Sequence, residues 1–252
     1  MSILLYLITT PILQWLWPNL QIEHPPLPTI HYEILNIYPH NTECFTQGLA
    51  LHQGSLYESC GLYHQSKLIR YTPGFTTSQP IAHLPSSVFA EGIASDQHTL
   101  YQLTWKNAVR YHYANQQVRT HIHTTQGWGL TYQAPSFYAT DGSHLLYVYD
   151  SNFNLKQTLS VTDRNQPVAQ LNDLTYVHGF VLANIWYEDR LALINLENGS
   201  VMAYVDLSFL RTVTPGISQA DVVNGLCTLP DNTILITGKN WPNLFRIKLY
   251  GL

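Results

Sequence analysis

One carboxylate in this chain stands where proton-transfer chemistry could be done. Glu91 lies in the stretch Phe89-Ala90-Glu91-Gly92-Ile93, and the same short phrase recurs four more times with an amide or an indole in the acid's place. The five versions are FTQGL (45–49), FAEGI (89–93), QGWGL (126–130), QLNDL (170–174) and VVNGL (222–226). The residue before the glycine, or before Asp173 in the fourth copy, is Gln47, Glu91, Trp128, Asn172 or Asn224. Fourteen residues further on, or fifteen in the last copy, stand Gly61, Trp105, Gly142, Trp186 and Lys239. Brought together, these two sets would gather one acid, one lysine, several amides and three tryptophans. A carboxylate can take and return a proton, and an aromatic pocket with a few convergent polar groups is the usual form of a small-ligand site. Residues at such positions could equally cap a channel, bonding only to backbone or water.

The elements that must position them follow from the spacing. Aligned on the glycine, the copies stand at 48, 92, 129, 173 and 225, in steps of 44, 37, 44 and 52 residues. A period of roughly 20 to 50 residues marks solenoids, propellers and arrays. Each copy continues into a polar turn and a second β-rich run (Leu56-Tyr57, Leu100-Tyr101, Phe137-Tyr138, Val181-Leu182, Ile234-Leu235), which is a hairpin repeated five times. The second repeat predicts four strands, over Gly92–Ser95, Leu100–Trp105, Val109–Tyr113 and Val118–His123, and the third is similar. The fifth stops one strand short, after Leu244–Leu249, while His31–Tyr38 precedes the first repeat and belongs to no hairpin of its own. A propeller closes its ring by letting the N-terminal segment complete the last blade, which removes an open sheet edge. The expectation is an all-β, five-bladed β-propeller closed by its N-terminal strand. The first strand of each blade lines the channel and the second runs antiparallel beside it, so both sets of residues meet at one mouth.

Composition narrows the class. Of 252 residues, 11% are charged and 12% aromatic, which suits a compact β-rich protein and argues against disorder. A net charge of −4 offers no basic face for nucleic acid. Cys44, Cys60 and Cys227 lack metal-ligand spacing, which argues against a zinc site or a disulfide framework and leaves one bridge, Cys44 to Cys60, open. Residues 1–28 read as a hydrophobic leader (ILLYLITTPILQWLW at 3–17) and a proline-stiffened linker, and residues 29–252 as one propeller domain. The leader reads as a secretory signal, giving a periplasmic or secreted protein; membrane attachment is expected only if it stays as an uncleaved anchor.

At the same positions the sequence resembles the plant and bacterial type of glutaminyl-peptide cyclotransferase (glutamine cyclotransferase). The resemblance rests on FTQGL (45–49), YESCGLYHQS (57–66), FAEGIA (89–94), LTWK (103–106), GWGLT (127–131), TDGS (140–143), LNDLTY (171–176), ANIW (183–186), VNGL (223–226) and TGKNWP (237–242), in order across most of the chain. It implies a five-bladed propeller that converts an N-terminal glutaminyl residue of a peptide or protein to 5-oxoproline with release of ammonia. It implies no cofactor and no catalytic zinc, the zinc being used by the unrelated animal enzyme. Glu91 would transfer the proton, and Gln47, Trp105, Trp128, Asn172, Trp186 and Lys239 would form the pocket. Either Lys239 or Asn172 would steady the charge on the amide oxygen, and Asn224 would be a pocket or a channel residue. Burial would raise the pKa of Glu91 while Lys239 would lower it, a balance the sequence leaves open. The chain departs from the family pattern at Cys60, His64, Thr175 and Asn240, none of them a residue given a catalytic role.

Other conspicuous residues read as structural. His121 and His123 are expected on the strand surface, Thr140–Ser143 in a turn, Glu58 bonded within its blade, and Asp173 facing away from the pocket. The protein is expected to act as a monomer. Two other classes remain: a propeller that binds a ligand without catalysis, and a lactonase-type hydrolase, which would need a metal held by several channel carboxylates.

Overall fold

A computed structural model describes residues 25–251 except 116, 124, 125 and 220. Five four-stranded antiparallel sheets are arranged radially as the blades of a propeller. Blade 1 is β2 (Thr46–His52), β3 (Ser55–Cys60), β4 (Lys67–Tyr71) and β5 (Ser78–His83); blade 2 is β6 (Ala90–Ser95), β7 (Leu100–Thr104), β8 (Val109–Ala114) and β9 (Gln117–Ile122). Blade 3 comprises β10 (Leu130–Gln133), β11 (Ser136–Ala139), β12 (Leu145–Tyr149) and β13 (Leu155–Ser160). Blade 4 follows the two-residue strands β14 (Thr162–Asp163) and β15 (Gln166–Pro167), with β16 (Leu171–Val177), β17 (Phe180–Ile185), β18 (Arg190–Asn195) and β19 (Val201–Asp206). A five-residue helix, α1 (Ser208–Thr212), leads to blade 5: β20 (Val223–Thr228), β21 (Ile234–Gly238) and β22 (Asn243–Tyr250).

The missing strand of blade 5 comes from β1 (His31–Pro39), antiparallel to β22 from His31 opposite Tyr250 to Pro39 opposite Asn243. Closure by the N-terminal strand is therefore as the repeat count predicts. The described part of the linker is not free of the propeller: Pro28 accepts the Tyr204 amide at 3.0 Å, laying the chain beside β19. The predicted leader lies outside the described residues.

Burial falls from the axis outward. Most of β2 and β6 is buried, whereas β9 is exposed along its length. Apolar side chains from adjacent blades pack face to face, as Leu68 with Ile93 and Leu100, Leu103 with Leu130 and Phe137, and Leu182 with Ile236 and Phe245. Where blade 5 meets blade 1, Cys44 and Cys60 join in a disulfide among Leu49, Leu235 and Leu244.

The recurring glycine has a steric reason. A Cβ on Gly92 would stand 2.6 Å from the backbone of Gly129, and one on Gly48 would stand 3.0 Å from the Ile93 nitrogen. Innermost strands meeting this closely leave no room for side chains. Just before that level, pairing slips between Thr46 and Gly48, Ala90 and Ile93, Leu171 and Leu174, and Val223 and Leu226. Such bulges re-aim side chains, and here they fall at Gln47, Glu91, Asn172 and Asn224.

Candidate active site

At the mouth where the innermost strands begin, Phe45, Gln47, Phe89, Glu91, Trp105, Trp128, Asn172, Trp186 and Lys239 line a cavity of about 190 Å³. It is smaller than the roughly 300–1,000 Å³ of sites for drug-sized ligands, so it suits the end of one side chain. A larger cavity of about 410 Å³ opens at the far mouth, lined by groups such as Thr131, Thr175 and His178 and by none of the residues just named.

Seven of the eight predicted site residues meet in the smaller cavity. Gln47, Glu91 and Asn172 come from bulged starts of β2, β6 and β16, Trp128 from just before β10, and Trp105, Trp186 and Lys239 from just past the ends of β7, β17 and β21. The eighth, Asn224, lies one layer below: its Nδ2 donates to the Thr46 carbonyl at 2.8 Å and approaches Gln47 Oε1 at 3.5 Å. The glycines of the second set make space. A Cβ on Gly61 would lie 2.6 Å from the Phe89 ring and 2.8 Å from Gln47 Cγ, and one on Gly142 would lie 2.6 Å from the Trp128 indole.

Phe45 and Phe89 were not anticipated. They stand two residues before Gln47 and Glu91 in FTQGL and FAEGI, the period that returns a strand to one face. The two rings meet edge to face at 6.3 Å; Phe89 also meets Trp105 at 5.7 Å, and Trp128 meets Trp186 at 5.5 Å. Tyr63 and Tyr187 extend this wall outward, and Lys106 Nζ sits 4.1 Å from the centre of the Trp105 ring.

The polar floor is a relay. Lys239 Nζ donates to Gln47 Oε1, and Gln47 Nε2 donates to Glu91 Oε2. Lys239 also faces the Phe45 ring at 4.3 Å. A second chain fixes the Glu91 backbone: Tyr113 donates to Gln102 at 2.7 Å, Gln102 to Ser59 at 2.8 Å, and Ser59 to the Glu91 carbonyl. Burial pushes the Glu91 carboxyl well above the usual carboxylate range and outweighs the opposing pull of Lys239 and the Gln47 hydrogen bond. The same burial brings Lys239 down to about 8, against Glu91 and Asp173, which favour its charged form. Three polar atoms in the walls are buried without a hydrogen-bond partner: the indole nitrogens of Trp105 and Trp128 and Oδ1 of Asn172. Unpaired buried polar groups are costly, and three of the residues that line the cavity carry one.

The remaining expectations resolve individually. The Glu58 carboxylate is occupied by His40 at 2.8 Å, Thr46 at 2.6 Å and Tyr71 at 2.7 Å, all away from the cavity. Asp141 caps its turn by accepting the Ser143 amide at 3.0 Å and Tyr147 at 2.8 Å. Asp173 does not line the cavity; it points to the propeller axis. His121 is exposed, but His123 is buried: it falls just past β9, near the Tyr149 ring at 5.7 Å, and burial lowers its pKa to about 4. Among the described residues, the only His, Cys, Asp and Glu side chains grouped tightly enough to share an ion are Cys44, Glu58 and Cys60, whose sulfurs are bonded to each other.

Comparison with known proteins bears on the family and the fold. Residues 8–249 match the family model for glutamine cyclotransferase. The glutaminyl-peptide cyclotransferase of Arabidopsis thaliana is 31% identical over 232 residues, covering 86% of this chain and 71% of that protein. The crystal structure of Myxococcus xanthus glutaminyl cyclase superposes with a TM-score of 0.81 at 34% identity, covering 89% of this chain and 98% of that one. An aldose sugar dehydrogenase from Streptomyces coelicolor, at 12% identity and a TM-score of 0.58 over 90% of this chain and all of that one, shares the fold alone.

Proposed function

The chain belongs to the glutamine cyclotransferase family, and from that premise we propose that it cyclises N-terminal glutaminyl residues of peptides or proteins to 5-oxoproline, with Glu91 as the single proton shuttle. The observation that carries this is the floor of the small cavity, where one carboxylate is held by Gln47 and, through it, by Lys239.

In the reaction the substrate's α-amine attacks its own side-chain amide carbon; the new C–N bond closes the ring and the old one breaks to release ammonia. No protein nucleophile is needed, so the task is to hold the side chain folded with its reacting atoms close, which can supply much of the acceleration. Trp105, Trp128 and Trp186 form the walls for that. Glu91 has one oxygen engaged by Gln47 and the other in no hydrogen bond among the described residues. The free oxygen takes the proton from the attacking amine and returns it to the departing nitrogen. A pKa raised toward the working range suits a group that must do both.

The charge developing on the amide oxygen falls to donors among the residues that line the cavity, the ammonium of Lys239 or the side-chain amide of Asn172. The cavity wall offers one carboxylate and neither histidine nor cysteine, a poor ligand set for zinc. The reaction is therefore assigned to a metal-independent mechanism. Asn224 acts indirectly, by holding Thr46 and Gln47 in place. The protein acts as a single chain, with residues 29–252 as the catalytic unit. The Cys44–Cys60 bridge fits the oxidising setting of a periplasmic or secreted protein, to which residues 1–28 would direct it.

The test is incubation with a short peptide beginning with glutamine, in chelator, following ammonia and product mass. Ammonia release with loss of the same mass from the peptide, absent when the α-amine is acetylated, is expected. A well-folded protein that leaves the free peptide unchanged would overturn the reading.

A further inference from the structure

The catalytic cavity has room for one side chain, so the rest of a peptide substrate must leave through the mouth and meet what stands there. Beside that mouth, between blades 4 and 5, lies a second cavity of about 400 Å³ lined by Tyr187, Asp189, Arg211, Gln219 and Val222. The two cavities are neighbours on both walls. On one, Trp186 of the first directly precedes Tyr187 of the second, and their rings lie 4.3 Å apart. On the other, the Val222 carbonyl accepts the Lys239 amide at 2.9 Å. Successive Cα atoms of a peptide stand about 3.8 Å apart, so one residue step carries a chain from the first cavity toward the second.

The chain's own extra length builds this groove. The step from Asp173 to Gly225 is the longest of the four, 52 residues against 37 or 44, and the added residues form α1 and the connection to blade 5. Arg211 on α1 ties that connection down: Nη1 donates to the Ser218 carbonyl at 3.2 Å, Nη2 to the Asp221 carbonyl at 3.3 Å and Nε to Asp189 Oδ2 at 2.8 Å. Trp241 Nε1 donates to the same Asp221 carbonyl at 2.7 Å. Asp189 and Arg211 offset each other's charge, so the groove favours neither sign. What it offers is an aromatic face. Tyr187 is 62% exposed, so burial does not call for a tyrosine. Neither does the backbone: its φ is +68°, in the left-handed region that asparagine enters more easily, and Asn240 holds the matching place in blade 5 at φ +58°. A residue held in an unfavourable conformation with no packing reason points to a functional contact.

We propose that this groove is the subsite for the residue that follows the glutamine, and that it selects an aromatic side chain, which stacks on the exposed ring of Tyr187. The proposal deepens the cyclotransferase reading and rests on it. Aromatic pairs contribute beyond the area they bury, and a contact made equally in bound substrate and transition state lowers KM without raising kcat.

The test follows ammonia release from two peptides of equal length, one beginning Gln-Phe and one Gln-Gly. The proteins are wild type, Tyr187→Asn, Tyr187→Phe and Tyr63→Ala, each checked by thermal unfolding; asparagine removes the ring while suiting the left-handed backbone. Wild type should favour Gln-Phe by roughly three- to tenfold in kcat/KM, chiefly through KM. Tyr187→Asn should lose that preference. Tyr187→Phe should keep it, since the ring and not the hydroxyl is used, and so should Tyr63→Ala on the blade 1 side of the mouth. Equal kcat/KM for the two peptides in wild type, a preference that survives Tyr187→Asn, or one lost in Tyr63→Ala instead, would overturn the subsite and leave the reaction standing. No ammonia from both peptides would overturn the reaction, and the subsite with it.

Discussion

Replacing Gly142 by alanine should disable the site while barely loosening the fold, and a matched control shows why. Gly142 has φ +82°, and an added Cβ would lie 2.6 to 2.7 Å from three atoms of the Trp128 indole. Gly179, in the turn between β16 and β17, has φ +90° and would meet nothing within 4 Å. Both substitutions place an alanine in the left-handed region, which costs about 1–2 kcal/mol. For a domain of this size that corresponds to a melting temperature lower by roughly 2–4 °C per kcal/mol. Only Gly142→Ala must also move an indole, since carbon contacts settle near 3.5 Å or more and the ring must retreat by about 1 Å. Trp128 cannot swing freely, because it meets Trp186 edge-on at 5.5 Å. A misplacement of about 1 Å in a group that positions the substrate can lower a rate on the order of 100-fold. The assay is ammonia release from a glutamine-led peptide at saturating concentration, with thermal unfolding on the same samples. Gly179→Ala should keep its turnover and Gly142→Ala should lose one to two orders of magnitude. Turnover of Gly142→Ala within about twofold of Gly179→Ala would refute the claim that Trp128 placement governs the chemistry.

Removing the Cys44–Cys60 bridge by Cys44→Ala with Cys60→Ala should lower stability by about 3 kcal/mol, the loop-closure value for a sequence separation of 16, read from urea unfolding; the unreduced, denatured chain should titrate as one thiol, Cys227. Lys239 holds its proton less firmly than an ordinary lysine, so kcat/KM should decline as pH rises through about 8. In Lys239→Met that limb should vanish together with a factor on the order of 10²–10³ in rate, as a pH profile of the variant would show.

Much of this architecture was legible because the constraint that builds it is repeated. The glycine of FTQGL, FAEGI, GWGL and VNGL recurs since no Cβ fits where innermost strands meet, and that regularity gave the blade count, the closing strand, expected over His31–Tyr38 and found over His31–Pro39, and the two sets of residues at the mouth. Phe45 and Phe89 escaped because the count took one residue per strand at the glycine, whereas the bulges let two consecutive inward positions reach the cavity. The outcome for the pKa of Glu91 could not be read from sequence, since the burial that decides it comes from rings on separate blades. Asp173 was seen as the residue replacing a glycine, but the axial space it fills exists only once four other glycines have converged. His123 looked like a surface residue of an alternating strand; β9 ends one residue earlier, at Ile122, and the chain turns it inward.

The most direct test of the account is the pH profile of kcat/KM for ammonia release by wild type and by Glu91→Gln, with folding of both confirmed. Glu91 must be ionised to accept the amine's proton, and its pKa is raised, so the wild-type acid limb should lie well above the ordinary carboxylate range. In Glu91→Gln the rate should fall by about 10²–10⁴-fold and that limb should disappear. A folded Glu91→Gln that turns over within about tenfold of wild type, or that keeps the same acid limb, would contradict the assignment of Glu91 as the proton shuttle.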